Sequence, residues 1–235
     1  MSASRDGRSV APFGKVDTSH YPDLVEGGGL VEVLRSVAAA SGFAVGEIGV
    51  QYPAEFAGYT SAAIRSDRGQ IDVGISAASR LFDVTAMRGH DILALGETSE
   101  LPEVLAVAAA WKAGAPYEEF ADRFPFMEIT EQARIQASPD PVAAQWDYLL
   151  ADDQVPEELD LLKALHENAA VRIRYPELSH RTVWLSRERL KRAGRVHVWV
   201  AGPGRYCVQV AEQAETRVTL ESLPATIAAV VNLLG

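Results

Sequence analysis

The chain has one cysteine, Cys207, among 235 residues. A single thiol forms no intrachain disulfide and no cysteine-built zinc or iron–sulfur site. The longest apolar run, Val104 to Trp111, is far too short to span a bilayer. The first twenty residues hold no apolar run, so no secretory signal is expected and a cytoplasmic location is. The five histidines, His20, His90, His166, His180 and His197, show no metal-pair spacing, and His-Glu-x-x-His does not occur. No metal and no cofactor are expected. Gly27-Gly28-Gly29 has no following Lys-Ser/Thr, so it is not a phosphate loop. No Gly-x-Ser-x-Gly elbow marks a nucleophilic serine. Lysine is scarce, four against eighteen arginines, and the net charge of −10 argues against nucleic acid as a partner.

What is present is an ordinary globular composition, 48% apolar and 23% charged. The length suits one or two domains with a real core. Charge is unevenly placed. Val171 to Arg205 holds nine basic and two acidic residues, a charge of +7. The remainder, with 13 basic and 30 acidic residues, carries −17. Such asymmetry marks either an anion site or a segment that neutralises the rest of its own chain.

Hydrophobic spacing gives the elements. Residues 1–20 are polar and aperiodic, the pattern of a flexible tail. Leu30, Val33, Leu34, Val37 and Ala38 predict a helix ending at Ser41-Gly42. Strand-like runs follow at Val45–Tyr52, Tyr59–Ser66, Gln70–Ser76 and Leu81–Met87. A helix from Leu101 to Gly114 comes next, with Pro102 and Glu103 in its first turn. Residues 115–155 read as a helical linker. A helix Pro156–Ala170 then precedes strands Val171–Tyr175, Thr182–Ser186, Arg195–Val200 and Tyr206–Val210, and Leu223–Leu234 closes the chain as a helix.

Two α+β units result, 21–114 and 156–235, each running helix, antiparallel sheet, helix. Ser99-Glu100-Leu101-Pro102 and Glu221-Ser222-Leu223-Pro224 open the two closing helices alike. An internal duplication is expected, with the element order of small secretion-system chaperones.

The chemistry-bearing residues lie in the basic segment. As a strand, 171–175 would place Arg172 and Arg174 on one face. In the strand from Arg195, Val196, Val198 and Val200 go to the core, leaving Arg195, His197 and Trp199 on the other side. Arg205, Cys207 and Gln209 join them if the register matches. Guanidinium groups bind carboxylate or phosphate by paired hydrogen bonds, and indole stacks. His180, in a turn between Ser179 and Arg181, has the chemistry of a proton carrier or of a turn anchor. The candidate site residues are His180 and Arg187 for catalysis, with Arg172, Arg174, Arg181, Arg195, His197, Trp199 and Arg205 for ligand binding; of these Arg172, Arg174, His180, Arg187, Arg195 and Trp199 are expected to converge on one cleft. The competing reading is scaffolding, with these arginines paired to carboxylates of the same chain.

Tyr175-Pro176-Glu177-Leu178-Ser179-His180, followed by Trp184-Leu185-Ser186-Arg187, resembles the C-terminal signature of an actinobacterial family of natural product biosynthesis proteins. Pro125-Phe126, Glu131 and Trp146 fit that family's upstream spacing, and the resemblance covers roughly residues 30–235. Arg181, Trp184 and the shorter segment after Arg195 depart from it. The resemblance implies a peptide-handling protein in ribosomal-peptide maturation. One form is a metal-free thioether-forming cyclase of the class V lanthipeptide type. There His180 would take the thiol proton, and Arg172, Arg174 or Arg187 would steady the enolate. The alternative is a non-catalytic module that binds a peptide or a partner biosynthetic enzyme through the basic sheet face. A third reading is a structural or immunity-type protein. The expected partner is a peptide or a biosynthetic enzyme, with no nucleic acid and no membrane.

Overall fold

The computed structural model describes residues 12–52, 57–152, 156–189, 191 and 193–235. The chain is an α+β protein of two compact units, Met1–Arg134 and Ile135–Gly235. Each has its own antiparallel sheet and its own apolar core.

The first unit opens with a 3-10 turn at Thr18–His20, helix α1 (Pro22–Glu26) and helix α2 (Leu30–Ser41). Strands β1 (Glu47–Gly49), β2 (Ser61–Ser66), β3 (Gly69–Ile75), β4 (Phe82–Arg88) and β5 (Asp91–Thr98) follow. They form a meander in chain order. Helix α3 (Leu101–Lys112) packs with α2 against this sheet. After helix α4 (Tyr117–Arg123), the short strand β6 (Met127–Ile129) pairs with β5 and adds a sixth strand. The period-two alternation of Ile71 and Val73 in β3 and of Val84 and Ala86 in β4 sends these side chains into the core beside Leu34, Leu105 and Trp111. Each fully buried aliphatic side chain contributes about 1.5–3 kcal/mol. At the β2–β3 turn Gly69 has φ +133°, and a Cβ there would lie 2.1 Å from the Met87 carbonyl oxygen. Only glycine lets the start of β3 approach β4 so closely.

Helix α5 (Glu131–Ala137) crosses the division between the units. The second unit continues with helices α6 (Pro141–Ala151), α7 (Pro156–Glu167) and α8 (Ala169–Arg172). Asp140 caps α6 by accepting from the Val142 and Ala143 amides. Strands β7 (Tyr175–Ser179), β8 (Thr182–Ser186), β9 (Val196–Gly202), β10 (Arg205–Val210) and β11 (Gln213–Leu220) form a second meander, closed by helix α9 (Leu223–Leu234). Val183, Leu185, Val196, Val198 and Val208 face a core that includes Trp146, Leu161, Leu165 and Val230 from the helices.

Three sequence expectations change. Residues 12–20 belong to the first unit's packing and not to a tail: Phe13 meets Tyr59 edge-on at 5.4 Å, and Phe13 and Val16 lean on the first core. Residues 1–11 lie outside the described residues. Residues 115–155 are no linker. Phe120, Phe124 and Met127 join the first core, and Trp146 and Leu149 join the second, because their apolar faces need burial. The strand expected at 171–175 is helix α8, capped by Asn168 on the Ala170 amide, and the strand starts at Tyr175. Arg172 and Arg174 therefore share no strand face.

The element order helix, five-strand meander, helix recurs in α2–β1…β5–α3 and α7, α8–β7…β11–α9. Leu101-Pro102 and Leu223-Pro224 sit in the first turns of the closing helices. Strand β6 has no counterpart among the described residues of the second unit.

Candidate functional site

The expected site residues separate into three places, all in the second unit. The first group lies at the end of α9. Arg174 donates to the Leu234 carbonyl oxygen at 3.0 Å and Arg187 to the Gly235 main-chain oxygen at 3.2 Å. Two cations at a helix C-terminus satisfy its orphan carbonyls and oppose its dipole. Arg172 is exposed on α8. The five residues of β8, each rising about 3.3 Å, put roughly 17 Å of strand between Arg187 and His180. Arg172, Arg174 and Arg187 are thus removed from the cleft that sequence reasoning gave them.

The second group lies on the sheet face opposite the helices. Cross-strand partners Glu177↔Trp184, Trp184↔His197 and His197↔Gln209 form one row, and Ser179↔Thr182, Thr182↔Trp199, Trp199↔Cys207 and Cys207↔Thr219 form the next. Between β9 and β10, Cys207 and Gln209 stand opposite Trp199 and His197, while a register shift between Arg205 and Tyr206 sets Arg205 opposite Gly202. Trp184 and His197 stack with centroids 5.1 Å apart and planes 18° from parallel. The Arg195 guanidinium lies 5.0 Å from the Trp184 ring centre. Its side chain is only 7% exposed and pairs with Glu177 at 3.1 Å. Arg195 is therefore a buried, neutralised cation and offers no open anion site. Burial, and then the neighbouring Arg195 charge, hold His197 below the ordinary histidine range. Trp184, Arg195, His197 and the Ala211-Glu212 turn border a hollow of about 240 Å³. Cys207 is buried, its Sγ 3.3 Å from the Thr219 hydroxyl.

The third group borders a larger cleft, about 680 Å³, at one end of this sheet. It lies between the β7–β8 turn, the β9–β10 turn and the first half of α7. His180, Arg181, Trp199, Thr182, Tyr206, Glu157 and Asp160 are among its walls. His180 and Arg181 form a two-residue hairpin turn with φ of 48° and 63°, as a type I′ turn requires. That geometry costs a non-glycine residue about 1–2 kcal/mol. His180 Nδ1 lies 3.0 Å from the Ser179 hydroxyl. Arg181 donates Nε to Glu158 at 2.7 Å and Nη2 to Glu157. These bonds, that to Glu158 foremost, raise its pKa above the ordinary arginine value. Glu158 is 2% exposed, so Arg181 is the counter-ion of a buried carboxylate. Arg205 stands at the β9–β10 turn with its guanidinium over Gly202.

His180, Arg181 and Trp199 thus meet in one cleft, and Arg195 and His197 lie beside it on the same face. Sequence reasoning missed Trp184 as a site residue, although the alternation Thr182-Val183-Trp184-Leu185-Ser186 places it opposite the core residues. It also missed Asp160, Tyr206 and Arg217. Arg217 lies 5.1 Å over the Trp199 ring from β11, a strand whose polar sequence gives no periodic signal. Among the described residues no cluster of His, Cys, Asp or Glu is arranged to hold a metal ion, and no helix is long and apolar enough to cross a membrane. Comparison of the chain with protein-family models, curated proteins and solved structures finds no match.

Proposed function

We propose that the protein is a peptide-binding module that acts without catalysing a reaction, and that its C-terminal unit holds the peptide. The observation that carries this reading is the position of Trp199. It belongs both to the sheet face of Trp184 and His197 and to the wall of the cleft of about 680 Å³. Rigid aromatic side chains supply contact area at low entropic cost and anchor most peptide and protein interfaces. The volume lies in the range of ligand-binding clefts. The family resemblance supplies the context: a ribosomal peptide undergoing maturation, with the protein in the cytoplasm where that peptide is made. A partner enzyme carrying such a segment would engage the same surface.

His180 favours one second reading, the metal-free thioether-forming cyclase. It lines the cleft, and its imidazole is within hydrogen-bond distance of a hydroxyl. There the imidazole would take the proton of a cysteine thiol. The thiolate would add to the Cβ of a dehydroalanine, and the resulting enolate would recover a proton at Cα. Arg187 and Arg174 have no part in this reading, being bound at the end of α9.

The test uses the full chain and short fluorescein-labelled peptides read by fluorescence anisotropy. Saturable binding that Trp199→Ala weakens at least tenfold is expected. His180→Asn suits the left-handed turn and removes the imidazole. Under the binding reading His180→Asn leaves a dehydroalanine- and cysteine-containing peptide uncyclised, as does the parent. Cyclisation leaves mass unchanged, so loss of an iodoacetamide-reactive thiol with the parent alone would establish the cyclase instead. No saturable binding by any peptide would refute both.

A further inference from the structure

We infer that the protein forms a two-fold dimer by pairing the β11 edge of the second unit with the same edge of a second copy. The inference is independent of the peptide-binding reading. An edge strand presents a row of unpaired N–H and C=O groups, and folded chains commonly shorten, bend or cover it. In the first unit the edges β1 and β6 have three residues each. In the second, β7 contains Pro176 and packs against α6. The other edge, β11, is eight residues long, holds no proline or lysine, and is exposed at six of those residues.

The pairing of β10 shows which groups of β11 are open. Val210 donates its N–H to the Thr216 hydroxyl on β11, and Ala211 donates to the Arg195 carbonyl on the β9 side. Main-chain groups alternate in direction along an antiparallel strand, so Val208 and Tyr206 also point to β11. Val218 and Leu220 stand opposite them. Arg217 and Thr219 therefore turn their N–H and C=O groups to the open edge. An antiparallel copy centred on Val218 sets Arg217 opposite Thr219 of the second copy, and Thr219 opposite its Arg217, with main-chain hydrogen bonds in both pairs. Val218, 43% exposed, meets itself at the axis. The register shift between Val218 and Gln213 marks a bulge that bends the strand and ends the pairing there. Centring on Arg217 would oppose like charges. Centring on Thr219 would run past Leu220, where the strand ends.

Two further features suit a second copy as the occupant. Arg217, the one charged residue of 216–220, leans inward over the Trp199 ring at 5.1 Å, away from the edge. Helix α9 lies over β10 and β11 and holds no charged side chain from Leu223 to Leu234. Its Leu223, Pro224 and Ile227 border a groove with α7, and Thr226, Val230 and Leu234 are buried. Ala225, Ala229 and Leu233, four residues apart, occupy the remaining flank, on the β11 side. Two-fold pairing keeps both helix layers on one side of the joined sheet and turns these flanks toward each other across the axis. A charged flank would meet its own like charge there, and this one is neutral. An isologous contact requires such self-complementarity.

The experiment is sedimentation velocity on the full chain, with Val218→Lys, Val218→Cys and Gln213→Cys variants checked for folding by circular dichroism. At about 100 µM the parent should sediment with twice the 25.4 kDa mass of one chain. Val218→Lys opposes two ammonium groups at the axis and should raise the dimer dissociation constant roughly tenfold or more. Under mild oxidation Val218→Cys should give a disulfide-linked dimer, because a residue facing itself in a non-hydrogen-bonded pair brings the two Cβ atoms to about 4.5–5.5 Å. Gln213→Cys, on the same strand beyond the bulge, should not. Cys207 is buried and stays out of the reaction. A monomeric parent at that concentration overturns the inference, as does a dimer that Val218→Lys leaves unchanged, or equal cross-linking through Gln213→Cys. A monomeric parent whose affinity for labelled peptides falls with Val218→Lys would assign the edge to the peptide and overturn the second copy as its occupant.

Discussion

Replacing Glu177 by glutamine isolates a buried charge of the candidate site, the Arg195 guanidinium. Arg195 is 7% exposed and donates Nη1 to Glu177 at 3.1 Å and Nη2 to the Arg189 carbonyl at 3.3 Å. Its Nε has no hydrogen-bond partner. The substitution keeps shape and one acceptor but removes the only counter-charge paired with it among the described residues. Breaking a fully buried pair costs about 3–5 kcal/mol. Glu177 is 30% exposed, so water partly compensates, and about 2–3 kcal/mol is expected. For a unit of about one hundred residues that corresponds to a Tm lower by roughly 10 °C or more. The assay is urea unfolding followed by near-ultraviolet circular dichroism, which reports the Trp184–His197 stack. The double replacement Glu177→Leu with Arg195→Met removes both charges and should return to within about 1.5 kcal/mol of the parent, since an apolar pair of similar volume needs no solvation. A cost below about 0.5 kcal/mol for Glu177→Gln would refute the reasoning, because Arg195 would then be reached by solvent.

Three further outcomes are expected. His197 is held below 6.5, so the unfolded chain binds its proton first. Its contribution to stability is complete above 6.5 and is lost as pH falls from there through the folded-state value. Arg195→Met should raise the His197 midpoint in an NMR titration, and an unmoved midpoint would remove Arg195 as a cause. Arg174→Ala should cost about 1–2 kcal/mol in urea unfolding by orphaning the Leu234 carbonyl, with peptide affinity unchanged; a loss of affinity would return Arg174 to the binding surface. In the first unit, Gly69→Ala should cost about 2–4 kcal/mol because its Cβ would strike the Met87 carbonyl, whereas at Gly74 the nearest atom to a Cβ is 3.6 Å away and alanine should change stability by about 0.5 kcal/mol or less. Equal effects at the two glycines would refute the close strand approach.

Local periodicity carried much of the architecture. Alternation along 195–200 and 206–210 was enough to put Arg195, His197 and Trp199 on one face with Cys207 and Gln209, and the pairs Trp199↔Cys207 and His197↔Gln209 are those of the folded sheet. The period of a strand is fixed by backbone geometry, so a side chain's face is a property of its near neighbours. Helices α2, α3 and α9 were legible for the same reason, from apolar spacing and, in α3 and α9, a first-turn proline. Segment 171–175 was not, because a run this short, Val-Arg-Ile-Arg-Tyr, fits either period and Asn168 capped it as a helix. Strand β11 was not legible either, since its exposed polar residues owe their conformation to backbone pairing with β10. What each arginine does was beyond the sequence altogether. Arg181 meets Glu157 and Glu158, Arg195 meets Glu177, and Arg174 and Arg187 meet the end of α9. Four arginines of the +7 segment are therefore engaged within the chain. Ion pairing depends on which distant residues the chain brings within about 4 Å and how far it removes them from water. Only the tertiary structure settles those two quantities.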